Sequence, residues 1–179
     1  LYGAIVSRTK AAANRVDRAN KALGGATSPD DTYQILRGFR TAVTRFETQA
    51  KTALTLAKWL AKHDKVERVL HPALKSHPDH KLWKRDFTGS ACLFSLVLKP
   101  CTPNEVLKLL DRLNLFAKGY SFGGYESLII HCDPQLKRSE SERFSGPLIR
   151  IACGLEDAGD LQADLEASFA KLKLRKSAS

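Results

Sequence analysis

Methionine is absent from the 179 residues, and the chain opens on an apolar run, LYGAIV. Together these predict a piece of a longer polypeptide. No basic stretch, apolar stretch and small-residue cleavage site stand at the start, so no secretory signal is legible. Long hydrophobic runs are missing as well. The longest uncharged apolar stretch, Ala91–Leu98, is far short of the roughly 20 residues a membrane span needs. The four cysteines (Cys92, Cys101, Cys132, Cys153) make no CxxC and follow no regular spacing. That pattern fits neither a disulfide framework nor a zinc site and predicts reduced thiols in a cytoplasmic protein. Neither internal repeats nor low-complexity segments occur.

What is present is an ordinary globular composition, 43% hydrophobic and 27% charged, with a formal net charge of +10. The excess is lopsided: residues 1–90 hold 17 Lys+Arg against 8 Asp+Glu, and residues 91–179 hold 12 against 11. A basic half can serve nucleic acid, an acidic membrane surface or a larger acidic assembly. Here the cations are spread along several helical turns with acids between them, and no aromatic-basic RNA motif or zinc finger accompanies them. A solvated helix surface is the reading that follows, with no nucleic-acid and no membrane partner.

Along the chain, LYGAIV reads as a short buried strand. A helix follows from Thr9 as N-cap, with Ala12, Val16, Ala19 and Leu23 on one side and Gly24-Gly25 as its stop. Ser28-Pro29-Asp30-Asp31 is a strong helix start: a capping hydroxyl, a proline at the first helical position and two acids in the first turn. The apolar stripe Leu36, Val43, Phe46, Ala50, Leu54, Ala57, Leu60 predicts one long helix from there to about Lys62. VERVL (66–70) is strand-like, HPALKSHPDH a proline-punctuated loop, and His80–Asp86 a short helix. ACLFSLVL (91–98) is the clearest strand. Pro103 opens a helix carrying Val106, Leu107, Leu110 and Leu113. Strands are expected over 115–120, 128–132 and 148–153, with a polar surface connection over 133–145. A last helix begins near Glu156-Asp157, turns Leu161, Leu165, Phe169 and Leu172 inward, and ends in a basic tail. From Val66 onward the chain reads as an α+β domain: a small sheet covered by helices on one face.

Three groups of residues invite chemistry. His71, His77 and His80 suggest a metal, but no Cys or carboxylate cluster completes a tetrahedron and the two prolines suggest loop rigidity instead, so no metal is expected. Ser121-Phe122-Gly123-Gly124 is a glycine turn on its residues alone. Arg150 lies inside the apolar LIRIAC (148–153), where a guanidinium needs an anion. That anion is either an internal acid or a ligand carboxylate, for which arginine's planar fork is well shaped. The residues by themselves leave both open.

GGATSPDDTYQILRGFRT, VLHPAL, WKRDFTGS, YSFGGYESLI and LIRIACGLEDAGDLQADLEASF occur in an order that resembles the pyridoxal-phosphate enzymes of cysteine and methionine metabolism, from LYGAIV to about Phe169. YSFGGYESL and WKRDFTGS are most similar to the bacterial cystathionine β-lyase branch, ahead of its γ-synthase and γ-lyase relatives. The resemblance implies an α/β chain forming the C-terminal part of a fold-type I, aminotransferase-like enzyme: a small antiparallel sheet covered by helices plus a long bridging helix. Residues 1–40 would end the large cofactor domain and start the bridging helix, and 41–179 would form the small C-terminal domain. It also implies pyridoxal 5'-phosphate as cofactor, a small amino-acid substrate, an N-terminal cofactor domain as partner and a homotetramer.

In the family the cofactor-anchoring lysine precedes the segment matching LYGAIV. Lys10 does not sit in that motif, so this chain alone is expected to be inactive, and no residue of it is assigned to holding the cofactor. By the same resemblance, Arg150 grips the substrate α-carboxylate, Ser121 positions the catalytic lysine and borders the substrate, and Tyr120 forms an aromatic wall. Phe122 stands where close bacterial β-lyases carry Trp, which keeps the apolar wall and loses an N–H donor. Gly123 and Gly124 would let the backbone pass close to substrate.

Overall fold

The computed structural model describes residues 3–136 and 144–175 and divides into two compact units, Leu1–Val43 and Thr44–Ser179. In the first unit, α1 (Lys10–Ala22) starts where the Thr9 hydroxyl accepts the Ala12 N–H. It ends as the glycine pair dictates. Gly24 adopts φ 69°, Gly25 N–H bonds to Asn20 O at 2.8 Å and Gly24 N–H to Lys21 O at 3.1 Å, a full Schellman closure that only a residue without Cβ makes at no steric cost. Helix α2 (Pro29–Arg40) is capped by Ser28, whose hydroxyl accepts the Asp31 N–H. Neither helix buries a residue. The expected strand at LYGAIV is absent over residues 3–6, which are irregular, with Val6 94% exposed; Leu1 and Tyr2 lie outside the described residues. A strand needs a neighbour to pair with, and residues 3–43 offer none.

The single helix expected over 28–62 is two. Thr41 leaves the helical region at φ −108°, ψ 7°, three residues after Gly38, and α3 (Ala42–Leu60) starts anew. The stripe therefore splits in burial: Leu36, Val43 and Phe46 are exposed, Ala50 and Leu54 are partly buried, and Ala57 and Leu60 are fully buried, where Ala53 and Leu56, outside the expected stripe, join them.

The second unit is a five-stranded sheet, β1 (Val66–Leu70), β2 (Leu93–Leu98), β3 (Phe116–Lys118), β4 (Ser127–His131) and β5 (Leu148–Ala152), in the order β1-β2-β5-β4-β3. It is mixed rather than wholly antiparallel. The loop over 119–126 carries the chain back to the end at which β3 began, so β4 runs parallel to β3, with Phe116 beside Ser127. The other three pairings are antiparallel. Between β1 and β2 in the chain stands the short helix α4 (His80–Asp86).

Alternation sorts the strands by face. Phe94, Leu96, Leu98, Ile129, Ile149 and Ile151 pack with α3, α5 (Pro103–Asp111) and α6 (Ala158–Phe169) in one core. Leu161, Leu165, Phe169 and Leu172 point inward as expected, whereas on α5 it is Leu109 that is buried and Leu107 that is exposed. The polar connection holds a short 3₁₀ turn at Asp133–Gln135, and its residues 137–143 lie outside the described ones, as do the last four residues of the basic tail. No helix among the described residues is long and apolar enough to cross a membrane.

Candidate substrate-carboxylate site

β5 sets Arg150 in register with Ser95 on β2 and Ile130 on β4, on the face opposite the helical core. Its side chain is half-buried rather than enclosed, because that face of the sheet is only partly covered. Its guanidinium donates to Tyr120 O at 2.8 Å and to Ser121 O at 3.3 Å, and lies 5.8 Å from the centre of the Phe122 ring. No carboxylate among the described residues pairs with it. Among the described residues the internal salt bridge left open from the sequence is therefore not made; carbonyls and a ring face take its place. Carbonyl dipoles satisfy N–H groups without neutralising the charge, so the cation keeps its attraction for an anion.

Tyr120, Ser121 and Phe122 are thus brought to Arg150, and the two rings are 61% and 63% exposed. Three anchors hold the loop. Gln49 on α3, 2% exposed, donates through Nε2 to Gly124 O. Gly123 turns the chain at φ 77°. At the loop's far end Glu156 clasps Ser127, accepting from its N–H and its hydroxyl, both at 2.7 Å, while Ser127 Oγ accepts from Gly154 N–H at 2.8 Å. A Cβ on Gly154 would meet Tyr125 O at 2.3 Å, so only glycine lets the two chains close here. Replacing Glu156 by Ala strands the Ser127 donors. The expected cost is about 1–3 kcal/mol, with faster hydrogen exchange at the Ser127 amide. Unchanged exchange there would show that the clasp does not hold the loop.

Neither Gln49 nor Glu156 stands out in the sequence as a functional residue. Gln49 could have been found: it lies on the same helical face as Ala53, Leu56 and Leu60, and a polar group on a buried face needs a partner. Lys10, as the first residue of α1, is exposed. Cys132 is half-buried near Arg150; burial raises its thiol pKa, and the arginine's charge opposes that only in part. Burial, with Cys92 and Glu156 nearby, pushes the Cys153 thiol up to about 12, so it is protonated at neutral pH. The loop histidines do not converge. His71 Nδ1 accepts from Ala73 N–H, His77 Nδ1 accepts from Asp79 N–H, and His80 Nδ1 pairs with Pro72 O. Among the described residues no three His, Cys, Asp or Glu come together as a metal site would require.

A mixed sheet covered by helices on one face, with an arginine presented from a central strand on the other, makes the second unit an α/β domain. A solved cystathionine gamma synthase from Xanthomonas oryzae pv. oryzae, in complex with cystathionine, superposes with a TM-score of 0.82 at 31% identity, over 92% of this chain and 44% of that one. The family model for Cys/Met metabolism PLP-dependent enzymes matches residues 1–170, and the chain belongs to that family. A cystathionine beta-lyase of Escherichia coli is 46% identical over 155 residues, 84% of this chain and 39% of that protein. An L-alanine/L-glutamate racemase of Wolbachia pipientis wMel is 41% identical over 155 residues, 85% of this chain and 38% of that protein. The chain spans about two fifths of the length of these relatives. Around Arg150 the described residues present a cation with no carboxylate partner among them, a hydroxyl and two exposed rings, chemistry compatible with the substrate side of a pyridoxal phosphate site.

Proposed function

We propose that these residues are the substrate-facing C-terminal portion of a pyridoxal-phosphate-dependent carbon–sulfur β-lyase, which cleaves cystathionine with water to homocysteine, pyruvate and ammonia. The observation that carries this reading is the Arg150 guanidinium, fixed against the Tyr120–Gly124 loop with no carboxylate among the described residues to pair with it, in a chain 46% identical to a cystathionine beta-lyase. Pyridoxal phosphate, when bound, supplies the electron sink for charge developing at the substrate α-carbon.

Within this chain, Arg150 holds the substrate α-carboxylate through its fork, which fixes the orientation of the Cα–H bond before proton transfer. Ser121 presents its hydroxyl to the lysine that anchors the cofactor, and so positions that amine. Tyr120 and Phe122 form the apolar wall that excludes water on the substrate side. Phe122 has no N–H, so it contributes contact area and no hydrogen bond to the substrate. Residues 1–40 belong, on this reading, to the end of the cofactor domain and the start of the bridging helix, and their exposed apolar side chains are covered there and in a cytoplasmic homotetramer.

The test is product analysis with the full-length protein. Cystathionine should yield pyruvate and homocysteine. Release of 2-oxobutyrate and cysteine would place it with the γ-lyases instead. Racemisation of alanine without sulfur release would overturn the lyase reading altogether.

A further inference from the structure

Glutamine is an unexpected residue on a buried helical face. Gln49 is 2% exposed and stands on the side of α3 that turns Ala53, Leu56 and Leu60 into the core. An apolar residue there would pack without desolvating an amide, a group that is costly to bury unless it is bonded. Its Nε2 reaches across 75 residues of sequence to donate to Gly124 O. Gly124 itself is exposed, and a Cβ on it would meet nothing within 4 Å, so it is by its carbonyl that the residue is held.

The place of that bond along the loop gives it leverage. Tyr125 O accepts from Leu155 N–H, and Tyr120 O and Ser121 O accept from Arg150. Between these fixed points lie Phe122, Gly123 and Gly124, with Gly123 at φ 77°. Among the described residues no hydrogen bond but that of Gln49 reaches these three. Without it the chain can pivot about Gly123, because glycine meets little steric resistance to backbone rotation. The two carbonyls that orient the Arg150 fork would shift with the pivot, as would Phe122, whose ring centre is 5.8 Å from the guanidinium. A displacement of about 1 Å in a positioning group can cost roughly 100-fold in rate.

We propose that Gln49 is a positioning residue for substrate selection: by fixing Gly124 O it keeps the Tyr120 and Ser121 carbonyls where they aim the Arg150 fork at an α-carboxylate. The inference rests on the carboxylate role of Arg150 proposed above. Gln49 itself touches no substrate and acts through the loop.

The test compares the full-length enzyme with its Gln49→Met and Gln49→Glu variants at pH 8. Met keeps the length and loses the donor; ionised Glu keeps the shape and cannot donate. L-alanine and L-alaninamide, used as competitive inhibitors of cystathionine cleavage, differ in the group they offer to Arg150. The wild type should bind alanine about tenfold more tightly, because a charge-assisted pair is stronger than a bond to a neutral amide. In both variants that preference should fall about threefold or more, KM for cystathionine should rise about fivefold or more, and kcat should change by less than about twofold. Hydrogen exchange at the amides of residues 122–124 should quicken at the same time. The inhibitor ratio is read on whatever fraction is folded, so lost stability alone does not move it. The inference is overturned if exchange is unchanged, or if exchange quickens while both variants keep the wild-type preference, as a merely structural glutamine would. A wild type that binds alanine and its amide alike would overturn the carboxylate role of Arg150, and this inference with it.

Discussion

Arg150→Ala in the full-length protein is expected to lower kcat/KM for cystathionine by roughly 100- to 1,000-fold, about 3–4 kcal/mol, chiefly as a rise in KM. The size follows from what the side chain would do: two N–H groups meeting one carboxylate in a desolvated site. Part of the loss has a second origin, since the same guanidinium donates to Tyr120 O and Ser121 O. Arg150→Lys separates the two. It keeps the charge, loses the fork, and should recover only a fraction of the activity. Steady-state kinetics on both variants decide the matter, and unchanged values in either would remove the carboxylate role.

Phe169→Ala carries the largest expected cost in stability. Phe169 is 1% exposed near the end of α6; its ring stacks on Trp59 with centroids 6.5 Å apart and meets His63 edge-on at 4.9 Å. Truncation leaves a cavity between α3 and α6 and removes both ring contacts. A loss of about 3–5 kcal/mol is expected, and a fall in Tm of roughly 10 °C or more. Thermal unfolding of the chain measures it. A shift of only a degree or two would mean that α6 does not close the core in solution.

Much of this architecture is legible before any coordinates. Thr9, Ser28 and Pro103 announce their helices because capping is local chemistry: a hydroxyl or a ring acts within four residues of itself. The inward set Leu161, Leu165, Phe169, Leu172 is equally plain from its spacing. The errors fall where distant partners decide. Leu36, Val43 and Phe46 continue the stripe on paper, yet the helix breaks at Thr41 and they stay exposed. The parallel pairing of β3 with β4 depends on where the 119–126 loop returns, which no periodicity encodes. In the candidate site, Arg150 is conspicuous as a charge in an apolar run. Its actual partners are main-chain carbonyls thirty residues away, and main-chain atoms leave no trace in a sequence.

Those anchors carry a consequence for how the site can change. Gln49 reaches the carbonyl of Gly124, Arg150 reaches the carbonyls of Tyr120 and Ser121, and Leu155 N–H reaches the carbonyl of Tyr125 at 2.9 Å. Every residue type carries that carbonyl. The exposed side chains at 120, 121 and 122 can therefore be exchanged while the loop keeps its course. Such a loop is a ready substrate for divergence: one scaffold can try new selectivities, a ring for an indole at position 122 among them, without refolding around each trial.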